Sequence, residues 1–282
     1  GSNTEGEQNV AMGNAALFSN TTADNNVAIG HNALQANTTG TRNTAVGAYA
    51  LDANTTANDN SAFGYFSLTN NTTGANNAAF GRASLENNTT GAQNTAVGFK
   101  AMQLSTEGNH NTGIGAFTLD ANTTGSNNTA VGRDALGANT TADNNTAVGY
   151  QALILNTTGH SNTAVGEEAL TSNTTANNNT AIGREALHSN TTGTQITAVG
   201  TEALKSFVSG TAQLTAVGFE ALKLCTAPYN TAVGWQAGDA ITTGQTNVMV
   251  GDGSLGANQT GGSNTAIGHF ALNNTTGSNN TG

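Results

Sequence analysis

The stretch Asn145-Thr146-Ala147-Val148-Gly149-Tyr150-Gln151-Ala152-Leu153-Ile154-Leu155-Asn156-Thr157-Thr158-Gly159-His160-Ser161 decides the fold, because the chain repeats it almost from end to end. Its Thr-Ala-Val-Gly element returns at Thr44–Gly47, Thr95–Gly98, Thr129–Gly132 and Thr163–Gly166. The closing glycine stands at 13, 30, 47, 64, 81, 98, 115, 132, 149, 166, 183 and 200, a spacing of 17 without an error. Gly218, Gly234, Gly251 and Gly268 continue the series with one residue gained and one lost. Internal repetition at a fixed period is the signature of stacked architectures. Sixteen repeats fill a single repeat domain over residues 3–282. Gly1-Ser2 reads as a cloning remnant, which makes the chain a segment excised from something longer.

Written as N-T-A-V-G-x-x-A-L-x-x-N-T-T-G-x-x, the repeat has seventeen columns, and several hold one residue type throughout. Column 4 is always apolar, from Met12 and Ile29 through Val46, Phe63 and Phe80 to Ile267. Column 3 is Ala except at Gly113 and Met249, and column 9 is Leu except at Met102 and Gly238. Column 1 is Asn almost throughout, with Ile196 and Leu214 as departures. Such columns are ladders, in which each residue stacks on its own copy one repeat away. Seventeen residues are too few for a helical hairpin, and Asn, Thr and Gly are poor helix formers. T-A-V-G has the β-branched content and turn-forming flanks of a short strand. The x-A-L-x segment reads as a second extended stretch, and N-T-T-G as a turn in which Asn and Gly take positive φ. The expected fold is all-β: a parallel β-solenoid or β-roll of about sixteen coils. At about 4.8 Å per stacked strand it would be roughly 75 Å long.

Composition excludes other classes. Charged residues are 9% and aromatics 5%, with 36 glycines and one proline. Large apolar side chains are too sparse for an ordinary globular core to offset the entropy of ordering the backbone. A charge-poor, strictly periodic chain does not fit the disordered signature, and glycine does not recur every third residue as collagen requires. A net charge of −10, with 7 basic residues against 17 acidic ones, argues against nucleic acid as a partner. No apolar run is long enough to span a membrane, and no signal peptide is read. Cys225 is the single cysteine, so no intrachain disulfide can form, and a buried free thiol is expected.

Alternation of faces along a strand puts Ala and Gly of T-A-V-G on one side and Thr and Val on the other. The A and L of column 8 and column 9 are read as opposing each other in the same way. Either the small set lines a thin coil and the large set runs outside as an apolar stripe, or the large set points inward and the coil is self-sufficient. The residues leave both packings open. An external stripe would exceed what a monomer normally exposes and would need partner chains to cover it.

The element Asn145-Thr146-Ala147-Val148-Gly149-Tyr150-Gln151-Ala152-Leu153, and Asn26-Val27-Ala28-Ile29-Gly30 still more closely, resembles the head repeat of YadA-like trimeric autotransporter adhesins, S-x-A-I-G-x-x-A/S. The resemblance runs through all sixteen repeats, although the family's repeat is a few residues shorter and N-T-T-G is an added turn. It implies a left-handed parallel β-roll, a side-by-side homotrimer, and display on a bacterial surface toward a host, matrix or glycan ligand. On that reading Val97, Val131, Val148 and Val165, with Leu136, Leu153 and Leu170, form the ladder that meets other copies. Similar repeats occur in phage and injection-machine tail fibres, which share the shape. An ice-binding solenoid is the third reading, from the threonine column at Thr44, Thr95, Thr112, Thr129, Thr146, Thr163 and Thr180.

Catalytic and cofactor chemistry is not expected. His110, His160 and His188 fall in different columns, while His31 and His269 share one at distant repeats. No nucleophile elbow appears, and no aspartate ladder suggests calcium. No metal or cofactor is therefore predicted. The asparagine columns are expected to hydrogen-bond up the stack, as amides do in other regular stacks. The N-x-T sequons at Asn37 and Asn54 follow from this turn chemistry rather than from glycosylation. The consensus weakens over 196–262. Phe207, Tyr229 and Trp235 in that region are the candidate ligand surface, with a coil distorted by the insertion and deletion as the competing explanation.

Overall fold

The computed structural model describes residues 3–210 and 213–282, so Gly1 and Ser2 lie outside the described residues. The chain is an all-β parallel solenoid built from 17-residue coils, with no helix among the described residues. It divides into two compact units, the first ending at Asp143 and the second beginning at Asn144. The first unit carries eight three-residue strands, from β1 (Val10–Met12) and β2 (Val27–Ile29) through β4 (Ser61–Phe63) and β5 (Ala78–Phe80) to β8 (Thr129–Val131). The second carries eight more, from β9 (Thr146–Val148) through β14 (Thr231–Val233) and β15 (Val248–Val250) to β16 (Thr265–Ile267). Within each unit every strand pairs in parallel with the copy one repeat away, so that Ser61 lies beside Ala78, Ala62 beside Ala79 and Phe63 beside Phe80. The insertion and the deletion do not break this register, since Thr197 meets Thr215 and Thr215 meets Thr231.

Among the described residues each coil has one strand, and the second expected strand is absent. Column 8 and column 9 form consecutive tight turns: Ala50 N–H donates to Gly47 O at 3.3 Å and Asn54 N–H to Leu51 O at 3.2 Å. The remaining amides reach neighbouring coils, Tyr49 donating back to His31 O (2.9 Å) and Leu51 forward to Ser67 O (3.0 Å). The backbone is thus satisfied without a second sheet. The turns require left-handed residues, and column 7 and column 9 supply them, as at Tyr49 (φ 60°) and Leu51 (φ 51°). Positive φ therefore falls there, on the residue before the column 1 Asn and on the column 5 glycine, and not on the Asn or Gly of N-T-T-G.

This geometry settles the packing that the residues left open. In a turn, neighbouring side chains need not oppose each other, and both members of the A-L pair point inward. Ala45, Ala50 and Leu51 are all fully buried, whereas Thr44 and Val46 face out and are half-buried. The interior therefore mixes small and large side chains. A left-handed leucine costs roughly 1–2 kcal/mol, and burying its side chain returns about 1.5–3 kcal/mol. Burial wins.

The departures from consensus compensate one another. At Gly113 the missing methyl makes room for Met102, whose Cγ would lie 3.0 Å from an added Cβ. Gly238 in turn leaves space for Met249, whose Sδ would lie 2.5 Å from a Cβ there. Over 196–262 the exchange is of polar for apolar. Ile196, Phe207, Leu214, Cys225 and Ile241 are all buried where regular coils bury asparagine. Phe207 and Ile196 both close on Gly193, at 2.6 and 3.1 Å from its would-be Cβ. Cys225 is the expected buried thiol. It donates to Ala227 O at 3.2 Å, and burial pushes its pKa up.

The asparagine ladders behave as expected. In column 1, Asn94 Oδ1 accepts from Asn111 N–H (2.9 Å) while Asn94 Nδ2 donates to Gly108 O (2.8 Å). In column 12, Asn54 Nδ2 donates to Asn37 Oδ1 and to Ala57 O. Asn37 and Asn54 are buried with their amide nitrogens engaged, so neither sequon presents an acceptor in the folded coil. At one step column 12 carries Ser105 in place of Asn. The shorter side chain leaves both Asn88 Oδ1 and Ser105 Oγ buried without a partner. Ser105→Asn is expected to complete the ladder and raise stability by about 1–3 kcal/mol, read as a higher denaturation midpoint. An unchanged or lower midpoint would show that the ladder bonds contribute nothing net.

Candidate interaction surfaces

Functional side chains on such a coil can only stand on the outward columns. Column 4 is the first of them. Val97 is 36% exposed, and Ile114, Phe63, Phe80, Ile182 and Val233 are exposed to a similar degree. Val131, Val148 and Val165 face the same way and are half-buried. Phe63 and Phe80 stack face to face, with centroids 4.9 Å apart. The valine half of the anticipated interface ladder thus lies on an outer apolar face. The leucine half does not: Leu136, Leu153 and Leu170 are fully buried inside their own coils. That correction follows from the turn at column 9, since alternation of faces holds only for extended backbone.

The candidate ligand surface within 196–262 also separates. Phe207 is 0% exposed and belongs to the apolar filling, so it is removed from that surface. Tyr229 and Trp235 are exposed on either side of β14, and Trp235 stacks on Phe219 at 6.0 Å. Tyr229 makes no ring contact among the described residues.

Two outward stripes escaped sequence reasoning because column 6, column 7 and column 10 read as variable. In the second unit, column 7 stacks Glu168, Glu185, Glu202 and Glu220, and column 10 supplies Lys205 and Lys223. Lys223 Nζ lies 2.7 Å from both Glu202 and Glu220, Arg184 lies 2.7 Å from Glu202, and Lys205 pairs with Glu185. His188 lies 3.5 Å from Glu168. The Lys223 hydrogen bond, reinforced by Arg184 against the opposing effect of partial burial, lowers the Glu202 pKa from its ordinary 4.5 to about 2. A carboxylate whose pKa falls on folding stabilises the folded state above its unfolded value. That contribution is lost as pH falls from about 4.5 toward 2. Melting temperature is therefore expected to be flat near neutrality and to drop across that window. Glu202→Gln is expected to make the drop shallower, and a variant with the same acid dependence as the wild type would contradict the assignment.

In the first unit, column 6 and column 7 carry aromatic rings and cations. Tyr49 meets His31 edge-on at 5.2 Å and stacks on Phe66 at 5.1 Å. Phe66 lies 4.1 Å from Tyr65, and Phe99 meets Phe117 edge-on at 5.2 Å. The Arg82 guanidinium sits between Tyr65 and Phe99, 6.0 and 5.6 Å from their ring centroids. Among the described residues no group of three or more His, Cys, Asp or Glu side chains could hold a metal ion. Among the same residues no helix is long and apolar enough to cross a membrane. No protein-family model matches the chain, and no curated protein matches it in sequence.

Proposed function

We propose that the chain is the head of an extracellular fibre, a non-catalytic homotrimer presented at a bacterial cell surface to a host, matrix or cell-surface ligand. The outward apolar column carries this reading. Every repeat spends a large apolar residue at column 4, facing out of its own coil, and a face that regular needs covering. Other copies of the chain cover it most economically, because they bring the same ladder at the same spacing. Repetition of one surface down the stack suits adhesion, since many weak contacts to one ligand raise the effective concentration of each. The YadA-like repeat points the same way. The mass of the particle in solution tests the reading.

The ice-binding reading has one observation in its favour: Thr39, Thr56, Thr73 and Thr90 form an exposed threonine ladder in successive coils. It requires a monomer and measurable thermal hysteresis.

A further inference from the structure

We propose that the aromatic and cationic stripe of the first unit binds an acidic polysaccharide whose sugars carry carboxylates. The proposal rests on the reading of the chain as a fibre head that meets an outside ligand, and it names the chemistry of that ligand. Two independent observations meet at this stripe. The first is stacking surface. Tyr65 is 44% exposed and Phe99 37%, in coils that flank Arg82 on the same column, and Phe66 and Phe117 back them from column 7. Exposed rings two coils apart, with the Arg82 guanidinium between them, offer apolar faces on which pyranose rings can stack on either side of a cation.

The second is charge. Of the chain's 7 basic side chains, five are engaged: Arg42 with Asp59, Arg133 with Asp134, Arg184 with Glu185 and Glu202, Lys205 with Glu185, and Lys223 with Glu202 and Glu220. Arg82 and Lys100 make no ion pair among the described residues, and both stand in the stripe. Their cationic groups lie over ring faces, Lys100 Nζ at 5.7 Å from the Phe99 centroid. Asp120 is a carboxylate in electrostatic range of Lys100, and it forms no ion pair with it; cations unpaired in this way beside exposed rings are complementary to a ligand that brings both sugar faces and carboxylates. The guanidinium fork matches a carboxylate in a way that a neutral sugar cannot use. A densely charged, ring-poor polymer would leave the aromatic platform idle.

Polygalacturonate fragments are the probe, with dextran as the neutral control, and titration calorimetry on the intact chain is the measurement. Binding of polygalacturonate but not dextran is expected. It should weaken at least tenfold in both Arg82→Gln with Lys100→Gln and Tyr65→Ala with Phe99→Ala, at unchanged melting temperature. A wild-type chain that ignores polygalacturonate, or charge variants that bind it as tightly as wild type, would overturn the proposal. Light scattering on the same samples separates this from the fibre reading. A trimer that does not bind overturns only the ligand assignment, and a monomer that binds through these residues overturns only the assembly.

Discussion

Gly81→Ala is expected to destabilise the first unit by about 3 kcal/mol or more, counting a strained backbone at 1–3 kcal/mol and a steric clash besides. Gly81 sits at φ +140°, a region that side chains of L residues rarely enter. An added Cβ would lie 2.4 Å from Gly98 O and 2.7 Å from Gly98 C. Both obstacles are backbone atoms of the next coil, which cannot swing aside as a side chain could. All sixteen repeats keep glycine in this column. Gly91→Ala is the control. An added Cβ there would also lie 2.5 Å from Gly108 O, but Gly91 has no positive φ and its column already accepts Ala23, Ala57, Ala142 and Ala176 by a small shift of the coil, so its effect should be well under half as large. Denaturant midpoints for the two variants decide it, and equal shifts would mean that the column 5 corner is not the tight point of the coil.

The second large effect concerns assembly. Val148→Asp should abolish the proposed trimer while leaving the coil folded, because Val148 faces outward and its own chain does not enclose it. In a closed apolar face the substitution brings three carboxylates together, where like charges and lost solvation both oppose association. Thr146→Asp should be milder, since Thr146 occupies a column that is already polar. Circular dichroism that keeps its β signal while the particle mass falls is the expected outcome. A Val148→Asp chain that stays trimeric would show that column 4 is not the interface.

The 17-residue spacing made the coil and its T-A-V strand legible, though not that this strand is the coil's only one, and ladder stacking made the asparagine hydrogen bonds legible. The inward turn of Leu136, Leu153 and Leu170 was not, because a period of two was extended to a segment that is not a strand. A signal was nevertheless present. Column 7 and column 9 contain no Val, Ile or Thr in any repeat, as expected where φ is positive and β-branched residues are strained. Phe207 was misread because a large aromatic in a departing repeat resembles a surface anchor. Only its partnership with Ile196, one ladder over, reveals it as filling. The aromatic and charged stripes emerged only in three dimensions, since stacking brings together residues 17 apart that look unrelated along the chain.

Multi-angle light scattering behind size exclusion, on the unmodified chain, tests the central claim most directly. A particle of three times the 28.2 kDa chain mass is predicted, because in the proposed assembly three copies would close the outward apolar column of each unit. A stable particle of one chain mass would contradict the trimer.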